Sequence, residues 1–282
     1  MEECGVGIAE IQRENADKLF PLLLCRVREF PKGEKKVIVV SGGSGAGKTG
    51  MAWLLKQRFD ERGIPALIIS GDNYPRRVPF HNDAERVSVF RLAGMDALLR
   101  KRLYTASVCD ALKALQAENL DADESLAVRY PWLEVYQKSG DAALADYLGT
   151  EKELLFSEVS SVLSAFKRKE PVLWLRQMGR QAHEIWYEQM NVSDKEVLIL
   201  EWTHGNSALL RETDVSVVLK STPEQTLENR KKRNRDKGID SPFVARVLRI
   251  EQEKIETGLQ KADLIQDMQG NLIDKDRISK EA

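Results

Sequence analysis

"VIVVSGGSGAGKTGMAWLL" runs from Val37 to Leu55 and decides the fold of this chain. Its leading aliphatic residues predict a strand that is covered on both faces, since a half-exposed strand would alternate apolar and polar residues. The apolar spacing that follows Thr49 is typical of a helix. Between strand and helix lies a loop with few side chains that ends in Lys48. The sequence therefore predicts a strand, a glycine-rich loop and a helix in direct succession.

The loop, Gly42 to Thr49, fits the pattern G-x-x-x-x-G-K-[ST] in full. Glycines let backbone N–H groups approach phosphate oxygens, and the helix N-terminus adds partial positive charge. We expect Lys48 to reach the β- and γ-phosphates of ATP and Thr49 to bind Mg²⁺ through its hydroxyl. The predicted nucleotide-binding residues are Gly42, Gly43, Ser44, Gly45, Ala46, Gly47, Lys48, Thr49 and Gly50. A glycine-rich turn without a ligand is the structural alternative.

The composition fits a globular enzyme, with 282 residues of which 42% are hydrophobic. The 43 basic and 44 acidic residues nearly cancel, which argues against a charged surface that recruits nucleic acid or membrane. Cys4, Cys25 and Cys109 lie far apart without metal-ligand spacing, and this predicts reduced thiols. No apolar run approaches the ~20 residues that span a bilayer. We therefore expect a cytoplasmic protein that binds neither nucleic acid nor membrane.

Further strands surround the loop and set the fold class. Ile64 to Ser70 predicts a second buried strand, so the loop belongs to a βαβ unit. Later strand candidates are Glu196–Glu201, Asp214–Lys220 and Ala262–Asp267. Buried strands that alternate with helices favour an α/β fold with a doubly wound parallel sheet.

About 125 residues separate the second and third of these strands, far more than one crossover helix requires. The intervening sequence predicts helices over Gly94–Gln116 and Glu151–Lys169. Over Pro171–Met190 it predicts two short strands around a turn near Gly179, with a helical second half as the alternative. Another helix is predicted near Asn15–Phe30. We expect an N-terminal extension over residues 1–35, a nucleotide-binding core over 36–92 and 190–282, and a mostly helical insertion over 93–189.

Taken together, these stretches resemble the uridine kinase and phosphoribulokinase group of P-loop kinases. The matching segments are "GGSGAGKT", "SGDNYPRR" (Ser70–Arg77), "VLILEWTHG" (Val197–Gly205) and "STPEQTLENRKKRNRDKG" (Ser221–Gly238). The resemblance implies a P-loop NTPase fold and ATP-dependent phosphoryl transfer to a hydroxyl of a nucleoside, sugar or related metabolite. The nucleoside-contacting P-x-Y-D segment of that group is not recognisable here, and "WLRQMGRQAHEIWYE" takes the place of its hairpin.

Two carboxylates are expected at the carboxyl edge of the sheet, where open α/β sheets bind ligands. Asp72 follows the second strand and is placed to accept the proton of an attacking hydroxyl, although its turn-like surroundings need no catalysis. Glu201 ends the third strand, where it can hold Mg²⁺ or orient the acceptor, or stand as an exposed strand terminus. His204 is expected to pack or to form hydrogen bonds.

Arginines supply the remaining candidates. The basic run of the matching lid segment favours Arg230 and Arg233 as groups that neutralise the transferring phosphoryl, against the alternative of a solvated charged face. Tyr74, Arg76 and Arg176 are predicted to bind the acceptor together with Asp72 and Glu201, and Arg180 is a further candidate in the hairpin. The insertion is expected to form this acceptor site.

Three functions compete. The favoured one is an ATP:alcohol phosphotransferase that acts on a small hydroxyl compound. A P-loop ATPase that couples hydrolysis to a conformational or partner-binding change is the alternative. A nucleic-acid-binding module built on "NRKKRNRDKG" is disfavoured, because the charge is balanced and no aromatic residues interleave that run. The sequence leaves open whether the chain forms a homo-oligomer.

Overall fold

The structure is a computed structural model that describes residues 10–31, 33–179, 181, 183–233 and 241–274, without the side chain of Arg233. The strands are β1 Lys36–Gly42, β2 Ala66–Ser70, β3 Val172–Met178, β4 Ile185–Asn191, β5 Val197–Glu201, β6 Val215–Lys220 and β7 Leu264–Asp267. The helices are α1 Glu10–Arg28, α2 Lys48–Glu61, α3 Pro79–Arg100, α4 Ala106–Ala117, α5 Trp132–Tyr147, α6 Phe156–Lys167, α7 Leu227–Arg233 and α8 Pro242–Gly258. Short 3₁₀ turns occupy Gly71–Asn73, Glu124–Val128 and Leu259–Lys261.

The main sheet is parallel throughout, in the order β2-β5-β1-β6-β7. Its central strand β1 is buried along its whole length, with Val39 in register with Leu200 on one side and Ser216 on the other. Because both faces are covered, the strands carry the unbroken aliphatic runs seen in the sequence. The predicted α/β fold is confirmed.

The two faces of the sheet have separate cores. Ile38 and Val40 join the core that α1 and α2 cover, whereas Val37 and Val39 join the core under α6. A third cluster lies between β6, β7 and α8. Helices therefore lie on both faces, as a doubly wound sheet requires.

The N-terminal helix α1 is an integral part of the first core. It begins at Glu10, earlier than the predicted Asn15, and its Leu19 and Leu23 are fully buried. Phe20 packs edge-on against Phe59 of α2 with ring centroids 5.0 Å apart. The segment predicted as an extension thus includes a helix that stabilises the nucleotide-binding half of the sheet.

The chain between β2 and β5 builds a helical lobe and a hairpin. The lobe is formed by α3, α4 and α5, begins at Pro79 and shares its hydrophobic core with Val247 and Ile250 of α8. The helix predicted over Gly94–Gln116 is wrong as a single element. It breaks after Arg100, where Arg102 adopts a left-handed conformation with φ 58° and Thr105 caps α4.

The predicted pair of short strands is confirmed: β3 and β4 form an antiparallel hairpin that stands apart from the main sheet. The helix predicted over Glu151–Lys169 starts later, at Phe156. Cys25 and Cys109 are free, and Cys4 lies outside the described residues. None of the described helices has the length and apolar character needed to cross a bilayer.

Candidate active site

The phosphate loop leaves β1 and enters α2 at Lys48. Gly47, the residue before that helix, has φ +89°, a left-handed conformation in which a side chain would be strained. The Lys48 side chain folds back along the loop, and its Nζ donates a hydrogen bond to the Gly43 carbonyl at 3.0 Å. The loop thus holds its lysine next to a row of backbone groups at a helix N-terminus, which suits a polyphosphate.

Two residues that the sequence analysis missed complete the walls of this loop. Gln12 of α1 lies so close that a Cβ on Gly47 would stand 2.8 Å from its Nε2. On the other side, Asn229 Nδ2 donates to the Gly45 carbonyl at 3.1 Å. Gln12 carries no motif, so no local signal could have identified it, whereas Asn229 lies in the matching segment Ser221–Gly238, where only the arginines were chosen as candidates.

Arg230 reaches the loop as predicted. A Cβ on Gly45 would stand 3.0 Å from its Cγ, and its Nη2 donates to the Pro223 carbonyl at 2.8 Å. The side chain is buried, and its Nε has no hydrogen-bond partner in the described part of the chain. A buried donor beside a phosphate loop fits a phosphate oxygen. Neither the Arg233 side chain nor Arg180 belongs to the described residues, so their predicted roles stay predictions.

Glu201 lies at the end of β5, beneath the loop, with a side chain that is 7% exposed. Its Oε2 accepts a hydrogen bond from Thr49 Oγ1 at 2.9 Å, and its Oε1 accepts one from Ser70 Oγ at 2.7 Å. Among the described residues no cation forms an ion pair with it. A carboxylate joined only to hydroxyls keeps its negative charge available for a cation.

The groups at the predicted Mg²⁺ site are of the kinds that Mg²⁺ binds. Mg²⁺ usually takes one or two carboxylates together with phosphate oxygens and water, and does not need a cage made only of protein. Thr49 and Glu201 supply a hydroxyl and a carboxylate at the place where phosphates would bind. In the described ranges no group of three or more His, Cys, Asp or Glu side chains forms a metal cage. The site therefore fits Mg²⁺ that arrives with a nucleotide.

Asp72 sits in the turn Gly71–Asn73 directly after β2, at the predicted edge, and its side chain is exposed. Its neighbour Asn73 donates from Nδ2 to Gln177 Oε1 on β3 at 3.0 Å, which ties this turn to the hairpin. Asp72 and Lys48 both act on the Glu251 carboxyl, the first raising and the second lowering its pKa. Both charges therefore lie near enough to Glu251 to act on it.

Glu251 of α8 is a site residue that the sequence did not reveal. It lines the same pocket as Gly43 and Ser44 of the phosphate loop. Burial is the main cause that raises the pKa of its carboxyl, and Arg86 works in the opposite direction. Arg86 Nη2 lies 3.3 Å from Glu251 Oε1.

The same arginine holds a second, deeper carboxylate. Arg86 Nε donates to Glu153 Oε1 at 2.6 Å, Asn82 Nδ2 donates to the same oxygen at 3.0 Å, and the Gly149 N–H donates to Oε2 at 2.7 Å. Burial would raise the pKa of Glu153, but Arg86 and the Gly149 N–H outweigh it and hold that pKa below its usual range. Arg86 thus links the helical lobe to both the loop wall and the buried core.

His204 packs as expected and lies next to Glu153. It is 9% exposed, meets Trp202 edge-on with ring centroids 6.0 Å apart, and faces Gly149. Gly149 has φ +61°, and a Cβ there would stand 2.7 Å from His204 Nδ1, so only glycine lets the backbone pass so closely. Burial lowers the pKa of His204 to about 4, so the ring is neutral near pH 7.

The remaining predicted acceptor residues are not gathered around Asp72. Tyr74 is 1% exposed, and burial raises its pKa to about 12, which disagrees with a substrate contact. Arg76 pairs with Glu151 at 3.6 Å on the surface. Arg176 is engaged by Glu158 at 3.6 Å and by the Pro75 carbonyl at 3.4 Å. These two arginines support the turn after β2 and the hairpin.

Comparisons with known proteins agree with the fold. No family model matches the chain. The chain is 36% identical over 239 residues to the bifunctional alpha-galactosidase/sucrose kinase AgaSK of Mediterraneibacter gnavus, which covers 85% of this chain and 21% of that protein. The chain therefore spans about a fifth of the length of this relative.

Solved structures are similar over nearly the whole chain. The YGR205w protein aligns with TM-score 0.51 and 10% identity, over 94% of this chain and 98% of its own. D-glycerate 3-kinase from Cryptococcus neoformans var. grubii aligns with TM-score 0.48 and 10% identity, over 95% and 99%. At this identity the YGR205w likeness extends to the fold alone. With the match to a protein named as a kinase, the predicted resemblance to P-loop kinases is confirmed.

Proposed function

We propose that this chain is an ATP-dependent kinase that transfers the γ-phosphoryl group of ATP to a hydroxyl of a small molecule. One observation carries the proposal: the hydrogen bond of 2.9 Å between Thr49 and Glu201, which joins the phosphate loop to an unpaired carboxylate under it. Asp72, at the end of the neighbouring strand, adds an exposed carboxylate at the same edge. This arrangement offers phosphate binding, Mg²⁺ binding and a base at one edge of the sheet.

Each group has a defined task in the proposed reaction. The loop amides, Lys48 and Arg230 bind the phosphates and neutralise charge on the transferring group. Thr49 and Glu201 hold Mg²⁺, which supplies further charge neutralisation when it is bound. Asp72 accepts the proton of the acceptor hydroxyl while the oxygen of that hydroxyl bonds to the γ-phosphorus. The bond from that phosphorus to the β–γ bridging oxygen breaks, and ADP leaves.

For the acceptor we propose a small sugar, with sucrose as the first candidate. The name of the curated relative includes sucrose kinase, and the match covers most of this chain. The hairpin supports a carbohydrate: Gln177, which is bonded to Asn73 beside Asp72, pairs across the hairpin with Trp186. Trp186, on the same face of the hairpin as Gln177, is 46% exposed. Exposed aromatic faces suit the apolar faces of sugar rings.

The test is product analysis. The chain is incubated with ATP and Mg²⁺ and a panel of sucrose, monosaccharides, glycerate and nucleosides, and products are identified by mass spectrometry. We expect one acceptor to gain a phosphoryl group in an amount equal to the ADP formed. ADP released at the same rate with and without every acceptor would instead favour the ATPase alternative.

Two variants separate the roles of the site residues. Lys48→Ala should abolish transfer and leave the melting temperature close to wild type, because it removes a phosphate contact and little core volume. Asp72→Asn should lower kcat by ~10²-fold or more with a weaker effect on nucleotide affinity, as expected for loss of a general base. Lost ATP binding at unchanged kcat would make Asp72 a nucleotide or metal ligand.

A further inference from the structure

A second pocket lies beside α8, and Ile255 lines both this pocket and the one that borders the phosphate loop. It is an open-sided space of about 310 Å³, at the lower end of the range of small-molecule sites. Its lining comes from the second half of α8, the segment after β5 and the loop before α6, and none of residues 42–49 takes part. The described lining residues are Gly149, Thr150, His204, Asn206, Ser207, Ala208, Leu209, Lys254, Ile255, Thr257, Gly258 and Lys261.

The charge in this pocket has one sign. Lys254 and Lys261 line it, and no described lining residue is Asp or Glu. The nearest carboxylates already have cations of their own, because Asp146 pairs with Lys152 and Glu153 pairs with Arg86. The pocket therefore presents ammonium groups without a carboxylate in its wall, which favours an anion.

Lys254 is the best placed of these groups. It forms no hydrogen bond or ion pair with another residue in the described part of the chain, although Glu153 and Asp146 lie near enough to act on its charge. Partial burial lowers the pKa of its ammonium despite those two carboxylates. A partly desolvated ammonium gains more from an anion than a fully hydrated one does.

Polar uncharged groups surround the lysines. Asn206, Ser207, Thr150 and Thr257 add amide and hydroxyl groups to the wall, and His204 forms part of it as a neutral ring that can both donate and accept. Such groups match the hydroxyls of a polyol. A bare cationic patch for nucleic acid would lack this set of neutral partners.

We propose that this pocket binds a small phosphorylated polyol, with Lys254 and Lys261 on the phosphate and the neutral side chains on the hydroxyls. No described lining residue belongs to the phosphate loop, and neither Asp72 nor Glu201 lines the site. It requires no catalytic step, and it stands whether or not the chain proves to be a kinase.

The experiment measures binding in a chain whose phosphate loop is disabled. The Lys48→Ala chain is titrated calorimetrically with inorganic phosphate and with glucose 6-phosphate, at constant ionic strength. We expect saturable binding of one ligand per chain, and tighter binding of glucose 6-phosphate than of inorganic phosphate. Adding Lys254→Gln should weaken affinity about tenfold, as for loss of a charge-assisted hydrogen bond.

Two controls test the location. Lys113→Gln removes the same charge from an exposed residue of α4 outside the lining and should leave affinity unchanged. Ala208→Glu adds a carboxylate to an exposed lining residue and should weaken binding without disturbing either lysine. Absence of binding, or equal losses for Lys113→Gln and Lys254→Gln, would overturn the proposal. So would displacement of glucose 6-phosphate by the phosphoryl acceptor, because the pocket would then be the acceptor site.

Discussion

Glu201 and Glu153 are two buried carboxylates in the same half of the molecule, yet their surroundings differ. Glu201 is 7% exposed and bonded to the hydroxyls of Thr49 and Ser70. Glu153 is fully buried and bonded to the Arg86 guanidinium, the Asn82 amide and the Gly149 N–H. Burial is therefore similar, and the partners distinguish them.

The difference separates a group that binds from a group that supports. A buried carboxylate is costly unless its charge is compensated. Arg86 compensates the charge of Glu153 within the protein. This ion pair holds the helical lobe to the loop before α6. Hydroxyls donate hydrogen bonds to Glu201 but carry no charge, so full compensation awaits a cation such as the Mg²⁺ that accompanies ATP.

The largest expected effect comes from breaking the compensated carboxylate. Glu153→Gln keeps the size of the side chain but leaves Arg86 with Glu251 as its remaining buried partner. We expect the free energy of unfolding to fall by about 3 kcal/mol, because removal of one member of a buried ion pair leaves the desolvation penalty of the other charge uncompensated. Urea unfolding monitored by circular dichroism measures the change.

Asp146→Asn is the matched control for that variant. Asp146 pairs with Lys152 near the same loop, but its side chain is 74% exposed. Exposed pairs are screened by solvent and contribute little to stability, so this variant should unfold close to wild type. If both variants lost the same stability, Glu153 would not be a supporting group and the contrast with Glu201 would fail.

Glu201→Gln should show the opposite profile. The amide retains the shape of the side chain and one acceptor for Thr49 or Ser70, so we expect stability to change little. Loss of the negative charge should lower phosphoryl transfer by ~10²-fold at a fixed Mg²⁺ concentration, and more Mg²⁺ should be needed for half-maximal rate. Steady-state kinetics over a Mg²⁺ series, together with urea unfolding, measure both quantities. If the variant lost stability but kept the wild-type Mg²⁺ dependence, Glu201 would have a supporting role like that of Glu153 and would not bind the cation.

The sequence predicted Glu201 because a single carboxylate ends an aliphatic strand whose carboxyl end faces ligands in this fold class. The phosphate loop was predicted because all its residues are contiguous. The Arg86 cluster could not be predicted, since its partners Glu153 and Glu251 lie 67 and 165 residues away and each resembles an ordinary helix or loop charge.

Two other failures have local physical causes. The break in the predicted helix Gly94–Gln116 depends on one left-handed residue, Arg102, which is not a type that normally signals such a turn. Tyr74 follows Asp72 in a motif-like segment, but the chain turns between them, so one side chain is exposed and the other is in the core. Proximity in sequence gave both residues the same predicted role.

The smallest expected effect at pH 7 concerns His204, which shows its influence only at lower pH and tests how well the surroundings of Glu153 exclude further charge. The pKa of His204 is lowered by burial from 6.5 to about 4 in the folded chain, so the unfolded chain takes up the proton first as pH falls. Stability should therefore decline from pH 6.5 to about pH 4 on account of this group, and the group adds no further decline below that. His204→Gln should remove about 3 kcal/mol of that decline, which is seen as a shallower dependence of the unfolding free energy on pH. His81→Gln, at an exposed residue, is the control and should keep the wild-type slope. A wild-type slope in His204→Gln would mean that the ring is protonated as readily in the folded chain as in the unfolded one, and that water reaches the surroundings of Glu153.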